Sequence, residues 1–107
     1  MYVFNKSVTA TPCEPGVSRK ILGMGGSEMM VEVTFRAGAK GNPHAHPHEQ
    51  VSYIAKGAFE FQLGDERRVV RQGDSIYIPA NTLHGTVALE DSIIVDVFTP
   101  IREDFLK

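Results

Sequence analysis

The chain has 107 residues, 42% of them hydrophobic, and this length fits one domain with its own core. Eleven Lys and Arg against thirteen Asp and Glu leave a formal charge of −2 with no basic run, which argues against a nucleic-acid partner. The single cysteine, Cys13, forms no intrachain disulfide, and the sequence has no apolar segment of signal-peptide or membrane-span length. We therefore expect one disulfide-free domain over residues 1–107, cytoplasmic and without a membrane contact.

Short strands are the predicted elements, because ten Gly and six Pro interrupt the chain at close intervals. Residues 1–20 are predicted to be irregular or edge-like, and the glycines of ILGMGGSE indicate a turn or bulge. The tail IREDFLK allows one helical turn at most. Alternation of apolar and polar residues predicts strands, in chain order, over residues 28–35, 51–55, 58–63, 67–71, 75–78, 84–89 and 92–99. Such a set predicts an all-β barrel or sandwich.

Apolar residues at both ends of the chain have few places to pack in so small a barrel. These residues are Tyr2, Phe4, Phe105 and Leu106. We expect both ends to pack against a second copy, which predicts a homodimer.

Three of the four histidines lie within five residues, at His44, His46 and His48. His44 and His46 are two apart, so on an extended strand both imidazoles project from one face. Gln50 has the same parity, and His84 stands where a later strand begins. Imidazoles with one oxygen donor suit a divalent transition-metal ion and leave positions for a substrate. The alternative for the segment HAHPH alone is a solvated polar loop.

Two glycine-and-histidine patterns decide between these alternatives. The first is Gly38-x5-His44-x-His46-x3-Gln50-x6-Gly57, and the second is Gly73-x5-Pro79-x-Asn81-x2-His84. They resemble the two motifs of the cupin superfamily, here at residues 38–57 and 73–88. The resemblance implies a jelly-roll β-barrel, or double-stranded β-helix, with one divalent ion (Zn, Ni, Mn or Fe) in its mouth, held by His44, His46, Gln50 and His84.

The motifs depart from the superfamily pattern at three positions: Gln50 replaces a Glu ligand, Asn81 replaces a Gly, and Ala88 replaces an Asn. Asn tolerates the left-handed conformation that Gly would supply. A neutral amide leaves a bound ion with more positive charge. Glu49 is an alternative ligand, although its parity points it outward. His48 follows Pro47 and is expected to lie behind the ligands or to face solvent.

Asp96 interrupts the apolar strand SIIVDVFT and shares parity with Ile94 and Phe98. A buried carboxylate needs a partner or a wet cavity. One interpretation is a structural ion pair with Arg102. The other places Asp96 in the barrel mouth near the metal, where a carboxylate can move protons.

The Gln ligand, together with the ending Asp96-x-Phe98-x3-Arg102, resembles the KdgF proteins, a small cupin family named for pectin degradation. The resemblance implies an enzyme that converts 4,5-unsaturated monouronates, released by pectin or alginate lyases, into linear ketonised sugars. It implies proton transfer by Asp96, with Arg102 also in the catalytic set. It further implies contacts to the sugar acid from Phe98, Arg102 and Gln50.

Two other function classes remain open from the residues. Another metal-dependent cupin enzyme, such as a dioxygenase or a sugar isomerase, is favoured if Asp96, Phe98 and Arg102 point away from the cavity. A small-molecule-binding cupin without catalysis is the second, although no helix-turn-helix pattern accompanies it. A storage-type structural cupin would not need the metal ligands.

Overall fold

A computed structural model describes all residues, 1–107, and contains ten strands and two short 3₁₀ helices. The helices are Asn5–Ser7 and Glu103–Leu106. The strands are β1 (Thr11–Pro12), β2 (Val17–Gly25), β3 (Glu28–Phe35), β4 (Lys40–His44), β5 (Glu49–Lys56), β6 (Ala58–Leu63), β7 (Glu66–Arg71), β8 (Ser75–Ile78), β9 (His84–Ala88) and β10 (Ser92–Thr99).

The strands form two antiparallel sheets, which confirms the all-β prediction. One sheet has the order β1-β2-β3-β10-β5-β8, and the other has the order β4-β9-β6-β7. The central position of β10 between β3 and β5 places its inward side chains in the middle of the larger sheet. Gln50 on β5 and Asp96 on β10 belong to the larger sheet. His44 on β4 and His84 on β9 belong to the smaller one, so the candidate site residues come from both sheets.

The core lies between the sheets and is built from alternate residues of facing strands. Phe35 and Phe59 meet edge to face with 5.1 Å between ring centroids, and Ile54 and Ile78 are fully buried in the same cluster. Burial of each such side chain contributes on the order of 2 kcal/mol. These apolar side chains fill the interior of the barrel.

Most predicted strands are confirmed: β3, β6, β8 and β10 have the predicted bounds, and β6 and β7 form the predicted hairpin. Three strands, β1, β2 and β4, were not predicted. Residues 1–20 were expected to be irregular or edge-like: β1 does lie at the edge of the larger sheet, but from Val17 onward β2 pairs on both sides, with β1 and β3. Glycine or proline lowers the strand propensity of each of these three segments, and pairing with neighbouring strands makes them extended. The glycine segment does contain a register shift after Ile21 and a turn at Gly26, as predicted.

Two motif positions require unusual backbone or space. Asn81 has φ +60°, so Asn does adopt the left-handed conformation that Gly would supply in the second motif. Gly57 has φ +79°, and a Cβ there would overlap Ser92 Oγ. Local geometry thus accounts for the residue type at Gly57, which ends the first motif, and at Asn81 within the second.

The termini agree in part with expectation. The tail forms the single predicted helical turn, Glu103–Leu106. Phe105 is half-buried and packs 5.8 Å from the Phe98 ring of its own chain, and its expected contact with a second copy stays a prediction. Tyr2 and Phe4 are exposed, and the homodimer stays a prediction. No helix is both long and apolar enough to cross a bilayer.

Candidate metal centre

Three histidines converge at one end of the barrel although they come from different elements. His44 ends β4, His84 begins β9, and the two are cross-strand partners. The expectation that His44 and His46 share one strand is wrong, since β4 stops at His44 and His46 lies in the loop before β5. The ring centroids are nevertheless 4.4 to 5.4 Å apart, and one nitrogen of each ring lies within 4.8 Å of the others.

The backbone sets the tautomer of all three rings. Each Nδ1 contacts a carbonyl oxygen, at 2.9 Å to Asn42, 3.0 Å to His48 and 2.8 Å to Thr82 for His44, His46 and His84 respectively. A carbonyl only accepts, so each Nδ1 carries the proton and donates it. Each Nε2 therefore presents a lone pair, which is the form that binds a metal ion.

Burial keeps the two inner rings neutral. Burial lowers the pKa of His84 to about 4, and positive charge on His44, His46 and Arg102 acts in the same direction. The pKa of His46 is also lowered, first by burial and then by Arg102. Neutral imidazoles are ready to coordinate an ion near neutral pH.

Gln50 completes a four-donor set. It is only 5% exposed, and its Oε1 lies 3.1 Å from His46 Nε2. Because His46 Nδ1 holds the ring proton, both of these atoms are acceptors, and a cation between them removes the mismatch. The predicted residues His44, His46, Gln50 and His84 thus come together and fit a divalent ion. Three imidazoles and one amide oxygen suit Zn, Ni, Mn or Fe.

Neither Glu49 nor His48 adds a ligand to the centre. Glu49 is exposed on the opposite face of β5, where its Oε2 accepts a 2.6 Å hydrogen bond from Tyr77. The His48 side chain is half-buried beside the His46 ring, 5.3 Å between centroids, and its carbonyl orients His46. His48 therefore lies behind the ligands, as expected.

A cavity of about 340 Å³ opens beside this centre. Its apolar wall includes Phe35, Phe61 and Ile94. Its polar residues include His44, Gln50, His84, Asp96 and Arg102. A volume near the lower end of known ligand sites fits one small molecule. Asp96, Phe98 and Arg102 all line this cavity. A different cupin enzyme was favoured if these side chains pointed away from the cavity, and they do not.

Asp96 has a polar partner other than the predicted one. Its Oδ1 accepts a 2.6 Å hydrogen bond from Ser52 Oγ. Burial raises the pKa of Asp96 to about 6, against the opposing effects of hydrogen bonds from Ser52 and Gln50 and of the Arg102 charge. A carboxyl group with such a pKa exchanges a proton readily near neutral pH. The structural ion pair with Arg102 is absent, and that interpretation is wrong.

Arg102 is instead paired with Asp104. Its Nε and Nη2 donate to the two carboxylate oxygens at 3.0 and 2.8 Å, and this pairing lowers the pKa of Asp104. The guanidinium carbon lies 5.1 Å from the Phe98 ring centroid and 4.2 Å from that of Phe105. Only 9% of Arg102 is exposed, so the side chain is held in one place at the cavity wall.

Two further residues near the site were not predicted: Arg19, which lines the cavity, and Ser52, which lies behind it. Arg19 of β2 lines the mouth, with its guanidinium carbon 4.0 Å from the Phe105 ring centroid, and it has no carboxylate partner. No sequence signal marked it, because β2 was not recognised as a strand. Ser52 is fully buried behind Gln50. Its parity with Gln50 on a predicted strand was the available signal.

Comparison with known proteins gives the family. The model of the cupin domain, Cupin_2, matches residues 31–98, which contain both motifs. This chain belongs to the cupin family. The pectin degradation protein KdgF of Dickeya dadantii (strain 3937) is 43% identical to this cupin over 93 residues, 85% of this chain and 84% of that protein.

Solved structures agree with this grouping. KdgF from Halomonas sp. superposes on this cupin with a TM-score of 0.94 at 41% identity, covering 98% of this chain and 97% of that one. A second structure, an RmlC-like cupin from Shewanella frigidimarina NCIMB 400, also has a TM-score of 0.94, at 36% identity over 97% and 94% of the two chains. The predicted resemblance to KdgF proteins is confirmed.

Proposed function

We propose that this cupin, with a divalent ion bound, converts 4,5-unsaturated monouronates into linear ketonised sugars. The observation that carries the proposal is the position of Asp96, a proton-exchanging carboxyl group in the same cavity as the candidate metal donors His44, Gln50 and His84. Similarity to two KdgF proteins, one of them named for pectin degradation, supports the substrate class. The reaction is an isomerisation and requires no redox cofactor.

The substrate is a cyclic hemiacetal in which the ring oxygen is also an enol-ether oxygen on C5. Ring opening removes the proton of the C1 hydroxyl and breaks the bond between C1 and the ring oxygen. This leaves an aldehyde at C1 and an enolate at C5. A proton added at C4 then gives the C5 ketone, so that atoms and charge balance.

The side chains of the cavity match these needs. Asp96 supplies the proton exchange, since its pKa of about 6 lets it both take and give a proton near neutral pH. Phe98 offers an apolar wall for one face of the sugar. A divalent ion bound at the centre would act as a Lewis acid that stabilises negative charge on the substrate oxygens.

Two guanidinium groups favour an anionic substrate. Arg19 is free of carboxylate partners, and Arg102 keeps Nη1 available although Asp104 takes its Nε and Nη2. Both flank Phe105 at the cavity mouth. A uronate carboxylate entering the mouth would therefore meet positive charge on two sides.

The proposal is tested with metal-loaded protein and the unsaturated galacturonate released by a pectin lyase. Ultraviolet absorbance of the conjugated double bond and the vinylic H4 signal in proton NMR should both disappear faster than in buffer alone. Saturated galacturonate is the control and should remain unchanged. A rate equal to the spontaneous one would refute the proposed reaction.

Replacement of Arg102 by Lys should raise KM about tenfold and change kcat less than about threefold. Lys keeps the charge but loses the planar contact with Phe98 and Phe105 and the two-point pairing with Asp104. Arg71→Lys, at an exposed position of β7, is the matched control and should alter neither constant. A larger fall in kcat than rise in KM would assign Arg102 to the transition state instead.

A further inference from the structure

Ser52 lies directly behind the candidate metal centre. It is fully buried, shares the inner face of β5 with Gln50, and is the cross-strand partner of Asp96 on β10. Its hydroxyl accepts a hydrogen bond from the Gln50 amide and donates one to the Asp96 carboxyl group, so it connects the two. A buried hydroxyl in such a place influences both neighbours.

The hydrogen bonds run in one direction. Gln50 Nε2 donates to Ser52 Oγ at 2.9 Å, and Ser52 Oγ donates its single proton to Asp96 Oδ1 at 2.6 Å. With its NH₂ group engaged at the back, Gln50 turns Oε1 toward His46 Nε2 at the centre. Each donor therefore has an acceptor, and the oxygen of the amide is the atom left for a metal ion.

We propose that Ser52 is a positioning residue that fixes the Gln50 amide with its oxygen toward the metal and that this contact explains Gln in place of Glu. A Glu at position 50 has no donor for Ser52. The single hydroxyl proton would then face two carboxylates, and one contact would join two acceptors. With Gln at position 50, Ser52 accepts a hydrogen bond from the metal donor and donates one to Asp96.

The inference rests on the proposed metal centre but not on the sugar substrate, so its test measures Zn²⁺ affinity without substrate. Four proteins form a double-mutant cycle: the natural chain, Ser52→Ala, Gln50→Glu and the double variant. Zn²⁺ dissociation constants are measured by competition with a chromogenic chelator. If Ser52 acts through the Gln50 amide, Ser52→Ala weakens Zn²⁺ binding about tenfold in the natural chain. In the Gln50→Glu background it changes binding less than about twofold.

Two controls separate positioning from a structural role. Ser92 is equally buried on β10, but its Oγ contacts only the backbone of Ala58 and Glu90. Ser92→Ala should lower the melting temperature and leave Zn²⁺ affinity unchanged. Ser52→Thr keeps the hydroxyl and should retain the natural affinity.

Three results would overturn the inference: equal losses of Zn²⁺ affinity in both backgrounds, no loss in Ser52→Ala, or a matching loss in Ser92→Ala. If Ser52→Ala does not fold, Ser52→Cys replaces it in the cycle, because a thiol is of similar size and a weaker donor. The same non-additivity is then expected. Failure of the sugar assay alone would leave these affinities untouched, so the two proposals are judged separately.

Discussion

Asp96→Asn is expected to lower kcat for unsaturated galacturonate by about 10² to 10⁴-fold while the protein stays folded and metal-loaded. An amide cannot take or give the proton that must reach C4. In the natural chain Ser52 donates a hydrogen bond to Asp96 Oδ1 at 2.6 Å. The amide oxygen of the variant can accept the same hydrogen bond, so the local geometry should be retained. The measurement is steady-state turnover, with metal content by elemental analysis and folding by circular dichroism on the same samples.

The control for this variant is Asp65→Asn, at an exposed position in the turn between β6 and β7. It makes the same chemical change away from the cavity and should leave turnover unaltered. Asp96→Ala should lose turnover as Asp96→Asn does, again with the metal retained. Natural activity in Asp96→Asn would exclude proton transfer by this residue.

The position of Asp96 could be predicted from the sequence because it depends on strand parity alone. Alternation along β10 put Asp96, Ile94 and Phe98 on one face, and all three line the cavity. The partner of Asp96 could not be predicted in the same way. Ser52 becomes its neighbour only through the register of β5 against β10, which joins residues 44 positions apart.

The histidine set was predicted by motif resemblance, and the geometry first assumed for it was wrong. Period two on one strand does not bring His44 and His46 together, because the strand ends at His44. Pairing of β4 with β9 brings His44 opposite His84, and a loop returns His46 to the same point. Such long-range pairing is set by the whole barrel, so local periodicity does not contain it.

The cavity mouth was the least predictable region. Arg19 belongs to a strand whose glycines and charged residues hide the alternation, and Phe105 belongs to a tail expected to meet a second copy. The pairing of Arg102 with Asp104 spans only two residues, yet it depends on the turn that begins the last helix. The candidate metal donors could therefore be predicted from the sequence, whereas the contacts of the residues at the cavity mouth could not.

His46→Ala combined with His84→Ala should reduce bound metal from one ion per chain to background. The double variant removes two of the three Nε2 lone pairs at the centre, and His44 with Gln50 offers too few donors to hold a divalent ion. Metal content after loading and desalting is measured by elemental analysis, and turnover of the unsaturated sugar should fall with it.

His48→Ala is the matched control for the loss of metal. The substitution removes an imidazole that packs beside His46, but it keeps the backbone carbonyl that accepts the His46 Nδ1 proton. Metal content should therefore stay at the natural level in His48→Ala and vanish in the double variant. A full complement of metal in the double variant would contradict the ligand assignment, and a loss in His48→Ala would add that ring to the set.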